Sequence, residues 1–595
     1  MTASDHMKEL PDRSEVNIND TWDLTAIYPT KADWEAACKT VEARLPKIET
    51  YKGQLNTVET IKACNDLLTE LYRELAKIQI YAHLTLTQDI SNSEAQQMIT
   101  QAMNLITAYN QKGSFVSSEL VEQDEAFLRE CAEHPSMTEH RLDLLHLIRR
   151  KPHILSDKEE KLLARAITLW QDMGDAYSKL ENVDMKFEHA EDSNGNPHRV
   201  THGTYGKLME AKDRKLRQSA YTSMLSEFKD HVHTCAATLN GKVKQNLFLA
   251  DVRHYKNTLH AALHPNAIDE SVYHSLIENT SDHLDVLHEY VDVRRRKLGY
   301  TDIHMWDLHV PLVPNCEIHF TYDEAVEVII EALKPLGDEY VDILHKGLTE
   351  QRWVDKYENK GKRSGAFSSG CHDTYPYIMM NFNGTLDNVY TLAHESGHSM
   401  HSYLSRKHQP ATMSSYPIFT AEIASTLNEY LLNEYFLHHY SGDNRKCILS
   451  QEINTIRGTF FRQTKFAEFE LLTHQHVENG NALTADWLCE KYGGLNQKYY
   501  GNAMTYDELI QYEWARIPHF YSNYYVYQYA TGIACAYQFG SRILSGEVEP
   551  FLNLLRSGGN DFPLNQLKRA GVDMTHEKTY EPIMNRFAEL VREFE

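Results

Sequence analysis

From Lys31 to about Asp184 the apolar residues recur at steps of three and four, the period of helices that bury one face. In VETIKACNDLLTELYRELAKIQIYAHLTL, Ile61, Leu67, Leu68, Leu71 and Leu75 fall on one stripe. SDKEEKLLARAITLWQDMGDAYSKL opens on a serine cap followed by an acid at capping-box distance. Such a run predicts antiparallel helical hairpins. The pattern breaks at FEHAEDSNGNPHRVTHGTYG, where Asn194-Gly195 between short extended segments predicts a β-hairpin. A boundary is placed there, with residues 1–195 as an amino-terminal helical lobe and 196–595 as a second domain.

Helical patterning resumes at Lys207, and HMWDLHVPLVPN follows as an extended, proline-punctuated piece. After Gly361, Gly365 and Gly370, a β-rich run from Tyr377 to Phe382 predicts a small sheet whose exposed edge can pair with an extended backbone. From Asn388 the pattern is helical almost to the end. The expected fold class is therefore mostly α, with a small β-sheet just ahead of a histidine-rich helix.

At 595 residues the chain is long enough for two or more lobes. The formal charge of −24 argues against nucleic acid and anionic membrane as partners, since both are bound by cations that neutralise phosphate. The nine cysteines stand singly, with no C-x-x-C pair, as reduced thiols do. The start, MTASDHMKELPDRSEVNIND, lacks the basic and apolar regions of a signal peptide, and no apolar stretch reaches about 18 residues. A cytoplasmic protein is expected.

Chemistry concentrates in VYTLAHESGHSMHSYL. Val389, Leu392, Ala393, Met400 and Leu404 make a packed stripe, which leaves His394 and His398 on another face, one turn apart and able to converge on a single zinc ion. Glu395 stands beside them. Among 32 histidines an accidental H-E-x-x-H is a roughly one-in-ten event, so the motif needs support from elsewhere in the chain. His260 and His264 are also four apart, but no acid accompanies them, and they read as helix surface. His401 is a poor third ligand: it lies about 10 Å along the helix from His394, against metal–nitrogen bonds of about 2 Å. The third ligand should come from another helix. In PIFTAEIASTLNEYLLNEYFLHHY, Glu422 and Glu429 sit seven apart beside the apolar set Ile423, Leu427, Tyr430 and Leu431, an expensive place for carboxylates without partners. Either can be the ligand, and the other suits a hydrogen-bond acceptor for a ligand histidine.

TLAHESGHSMHSYLS followed by PIFTAEIASTLNE resembles the zinc-site signature of the thimet oligopeptidase family, and the wider text resembles its oligoendopeptidase F branch. The likeness includes TWDLTAIYP, LMEAKDRKLRQSAY, MWDLHVPLV, GKRSGAFSSGCHDTYPYIMMNFNGTLDNVY and PHFYSNYYVYQYATG, and so spans nearly the whole chain. It implies one zinc per chain held by His394, His398 and Glu422, with Glu395 as general base and Glu429 supporting a ligand. It also implies that His519, Tyr524 and Tyr527 face the metal as hydrogen-bond donors, whereas Tyr525 and Tyr529 read as packing residues. Ser396 stands where the family usually has a bulkier residue, which touches neither ligand nor base. The implied fold is two helical lobes around a deep substrate channel, residues 196–595 being the catalytic domain. The implied activity is hydrolysis of internal bonds in short unfolded peptides.

Two other readings share parts of this pattern. A zinc carboxypeptidase or dipeptidase uses the same metal chemistry but needs a site for a terminal carboxylate, and none is legible. A non-catalytic helical binding protein would make the histidine helix incidental.

Overall fold

The computed structural model describes residues 9–313, 316 and 318–595. The amino-terminal stripes form helices Lys31–Arg44, Val58–Gln88 and Ser93–Glu122. Thr30 and Thr57 cap the first two with reciprocal capping boxes, and Asn92 accepts from two backbone N–H groups at the start of the third. Ser156 closes the expected capping box with Glu159. Trp34, Leu71, Leu75, Ile78, Ala82 and Met98 share one buried cluster, in which the Trp34 indole donates to the Ile78 carbonyl at 3.0 Å. A buried indole with its N–H satisfied adds apolar area without an unmet polar group.

The fold is mostly α, with two small sheets. Ala190–Glu191 pairs antiparallel with Pro197–His198 across the Asn194-Gly195 turn, where Gly195 takes φ +80°. The second sheet has three strands in the order Val354–Asp355, Tyr377–Met379, Phe367–Ser369, parallel on the first side and antiparallel on the second. Its centre is shorter than the expected 377–382 run, and Tyr377 and Met379 join the cluster of the amino-terminal helices. Of the expected extended piece, Met305–Asp307 is a 3-10 turn, while Pro314 and Asn315 lie outside the described residues. Among the described residues no helix is long and apolar enough to cross a membrane.

The chain packs into two compact units, each assembled from three segments. Met1–Lys151, Ile318–Tyr435 and Phe539–Gly571 form one, and Pro152–Glu317, Phe436–Gln538 and Val572–Glu595 form the other. The boundary expected at residue 195 falls inside the second unit. A single cut cannot describe cores that the chain enters three times, because local composition does not record which segment returns to which core.

The second unit holds a buried ionic knot. Asp307, fully buried, accepts from Arg214 and Arg217 at 2.7 Å each, and its backbone carbonyl accepts from Arg294 at 2.7 Å. Removing one partner from such a knot leaves an uncompensated charge. Asp307→Ala should therefore lower unfolding stability by about 3–5 kcal/mol, read from the denaturant midpoint at constant slope. A loss below about 1 kcal/mol would show that Arg217 is solvated in another way.

Candidate metal centre

The first unit supplies the histidine helix and the part of the glutamate helix that carries Glu422 and Glu429. The histidine helix runs Leu386–His408 and is capped by Thr385, and the glutamate helix runs Ile418–His439. Glycine in a helix interior costs roughly 1 kcal/mol relative to alanine, so Gly397 needs a reason. A Cβ there would stand 2.5 Å from the Ala424 carbonyl oxygen and 2.5 Å from Ser425 Cα. Gly397 is thus where the two backbones touch. The Asn428 amide donates to the Ala393 carbonyl at 3.0 Å across the same seam, and the Tyr340 hydroxyl donates to Asn428 at 3.2 Å.

That approach delivers Glu422 to the histidines. Its Oε2 lies 3.5 Å from His394 Nε2 and 3.6 Å from His398 Nε2, and one ligand atom from each of the three residues lies within 4.8 Å of the others. Tetrahedral zinc with bonds of about 2.0–2.1 Å sets its ligand atoms roughly 3.4 Å apart, so the spacing and the nitrogen–nitrogen–oxygen donor set fit that ion. Glu429 accepts from His394 Nδ1 at 2.5 Å, which leaves Nε2 directed at Glu422. The Ser425 hydroxyl donates to Glu422 Oε2 at 3.1 Å.

Charges in the cluster are tightly linked. Burial alone would lower the pKa of His394, but the hydrogen bond and charge of Glu429, with Glu422 and Glu395, outweigh it and hold the imidazole up at about 9. Burial and the charge on His394 push His398 down to about 4. Glu395 is buried and its pKa is raised, first by burial and then by Glu422, against the opposing charge of His394 and a backbone N–H from Ser368. His401 sits apart from the cluster. Its ring stacks on Tyr416 with centroids 3.5 Å apart, and burial followed by the charge on His398 pushes it down to about 3.

Sequence reasoning missed the contribution of the edge strand. Besides its N–H to Glu395, Ser368 places its hydroxyl 2.8 Å from that of Ser399 on the histidine helix. The β-rich run from Tyr377 was legible, but the strand Phe367–Ser369 and its register against the helix were not. Gly397 carried a signal, since an interior helical glycine marks a close approach.

His519, Tyr524 and Tyr527 belong to the second unit. Tyr524 and Tyr527 are 2% and 3% exposed, and the Tyr524 hydroxyl is 3.0 Å from that of Thr258. Tyr524 also has φ +51°, held by its N–H donating to Glu470 at 2.5 Å. His519 is exposed, and the half-buried Tyr525 and Tyr529 are its ring neighbours at 6.2 and 6.3 Å. Within this unit Tyr524 and Tyr527 are thus the buried pair and Tyr525 and Tyr529 the half-buried one. The helix begins only at Tyr527, so helical spacing cannot be carried back to Tyr524.

The model of peptidase family M3 matches residues 207–586, and that of oligopeptidase F matches residues 119–187. The chain belongs to peptidase family M3. This M3 chain is 39% identical over 603 residues to oligopeptidase PepF of Bacillus subtilis, covering all of the chain and 90% of that relative. A solved protein from Chlamydophila abortus superposes with a TM-score of 0.94 at 39% identity, over 98% of this chain and 99% of that one. The oligoendopeptidase F structure from Enterococcus faecium gives 0.73 at 33% identity, over 95% and 98%. The M3 chain is accordingly an enzyme, a metalloendopeptidase. Its two matched regions end and begin on either side of residue 195, although the compact units do not.

Gly397→Ala should force the helices of this M3 centre apart. The expected result is a stability loss of about 1–3 kcal/mol together with weaker metal retention, measured by melting and by chelator competition. Wild-type values for both would show that the seam yields without moving Glu422.

Proposed function

We propose that this enzyme is a zinc-dependent oligoendopeptidase in which His394, His398 and Glu422 hold the ion and Glu395 is the general base. The observation that carries the reading is the 3.5 and 3.6 Å spacing of Glu422 from two imidazole nitrogens, with Glu395 on the turn between them. Zinc, when bound there, acts as a Lewis acid toward the scissile carbonyl and makes water acidic near neutral pH.

The chain's own groups do the rest. Glu429 fixes the His394 ring and tautomer. Glu395, its pKa raised by burial, accepts a proton from water and returns it to the departing amine. The Ser368 backbone lowers the Glu395 pKa, against the burial that raises it. His519, Tyr524 and Tyr527, all on the second unit, are the donors that the family likeness assigns to the developing oxyanion.

Short unfolded peptides are the substrates this reading assigns, supported by the oligopeptidase and oligoendopeptidase names of relatives similar over almost the whole chain. All nine cysteines are free thiols, which suits a cytoplasmic workplace. The match over residues 207–586 supports treating 196–595 as the catalytic region.

Glu395→Gln should retain zinc and lose nearly all cleavage of an internally quenched, end-blocked peptide, since an amide keeps the shape but cannot accept the proton. Glu422→Ala should lose zinc on dialysis, while His401→Ala keeps it. Comparable turnover in the first variant removes the base, and the opposite metal ranking in the other two removes the ligand assignment. Failure to cut an end-blocked peptide while trimming a free carboxyl terminus would favour a carboxypeptidase.

A further inference from the structure

The second unit contains a cavity of about 400 Å³ whose wall carries four cations, Arg457, Arg462, Lys465 and Arg516, against one carboxylate, Glu513. The carboxylate is already spent. Glu513 accepts from Arg462 at 2.9 Å and from the Tyr492 hydroxyl at 2.5 Å, and Lys465 Nζ stands 3.5 Å from it. Lys465 also donates to Asn496 at 3.1 Å.

Arg457 and Arg516 have no ion pair among the described residues. Arg457 is 7% exposed, and the Nε of each is buried without an acceptor. The Tyr221 hydroxyl on the same wall is also buried without a partner. Arg516 lies over the Tyr205 ring at 4.6 Å, and Glu181 is near enough to feel its charge but forms no bond with it. The Tyr500 hydroxyl is a hydrogen-bond partner of Arg457, which leaves the Nε of Arg457 unused. A buried guanidinium with unused donors is costly unless something fills the space before it. The crowding of positive charge is felt by His309 in the same wall, which burial and then Arg457, Arg462 and Arg294 push down to about 3.

The backbone is shaped to this cavity. Arg457–Phe461 is a π turn, an irregularity that recurs where helices line binding sites. Gly458, inside that turn, borders the cavity, and a Cβ on it would meet nothing within 4 Å. The lining also includes the apolar side chains of Met209, Leu225, Met305, Leu308 and Ile510.

We propose that this cavity binds a small molecule carrying an oxyanion, phosphate or carboxylate, on an apolar body. The planar forks of Arg457 and Arg516 match the two oxygens of either group, and the apolar side chains receive the rest of the ligand. The site is independent of the zinc assignment, since its residues include none of the metal-centre groups.

The test uses the zinc-loaded full chain with phenyl phosphate and benzoate as probes, against potassium chloride at equal ionic strength. The melting temperature should rise saturably with at least one probe, and the stronger probe identifies the headgroup. Arg457→Gln combined with Arg516→Gln should weaken that binding by roughly tenfold or more. In the wild-type protein, hydrogen exchange should slow at 457–465 and 513–516 when the probe is added, a readout that does not depend on the variant folding. Absence of saturable stabilisation by both probes, protection confined to other segments, or undiminished binding in the double variant overturns the proposal.

Discussion

The approach of two helix backbones at Gly397 is the constraint on which the metal centre depends. H-E-x-x-H gives two nitrogens on one helix face, and no third residue of the same helix can reach their ion. The third donor has to arrive on another backbone, at a distance that permits a tetrahedral ion. With Gly397 against Ala424 and Ser425, the glutamate helix is near enough that Glu422 meets both imidazoles while Glu429, two turns on, meets the back of one. Asn428, between them in sequence, ties the same seam through the Ala393 carbonyl.

Bringing three carboxylates and two imidazoles together has an electrostatic consequence. The acids hold a proton on His394, and that charge together with burial keeps one off His398. Two neighbouring imidazoles are thus pushed in opposite directions by the groups around them. His401 shows the contrast. It lies on the same helix, but it is stacked on Tyr416 and kept neutral with no carboxylate as partner.

Much of this was legible in the chain. Helical period and caps located the long helices, and the small, apolar neighbours of Glu422 and Glu429 signalled carboxylates that require partners. Three things were not legible. The two units are woven from alternating segments, which local patterning does not register. Ser368 reaches Glu395 through strand register, which depends on how the sheet seats on the helix. The tyrosines after His519 lie in an irregular segment that includes the left-handed Tyr524, so no helical or strand period shows which way each ring faces. Alternation fails where the backbone is neither helix nor strand.

The most direct measurement is zinc K-edge absorption and anomalous diffraction on metal-loaded protein. One ion is expected per chain, bonded to His394 Nε2, His398 Nε2 and a Glu422 oxygen at about 2.0–2.1 Å, with Glu429 on His394 Nδ1. An ion bound through His401, or one that leaves Glu422 uncoordinated, would contradict the assembly of this centre from two helices joined at Gly397.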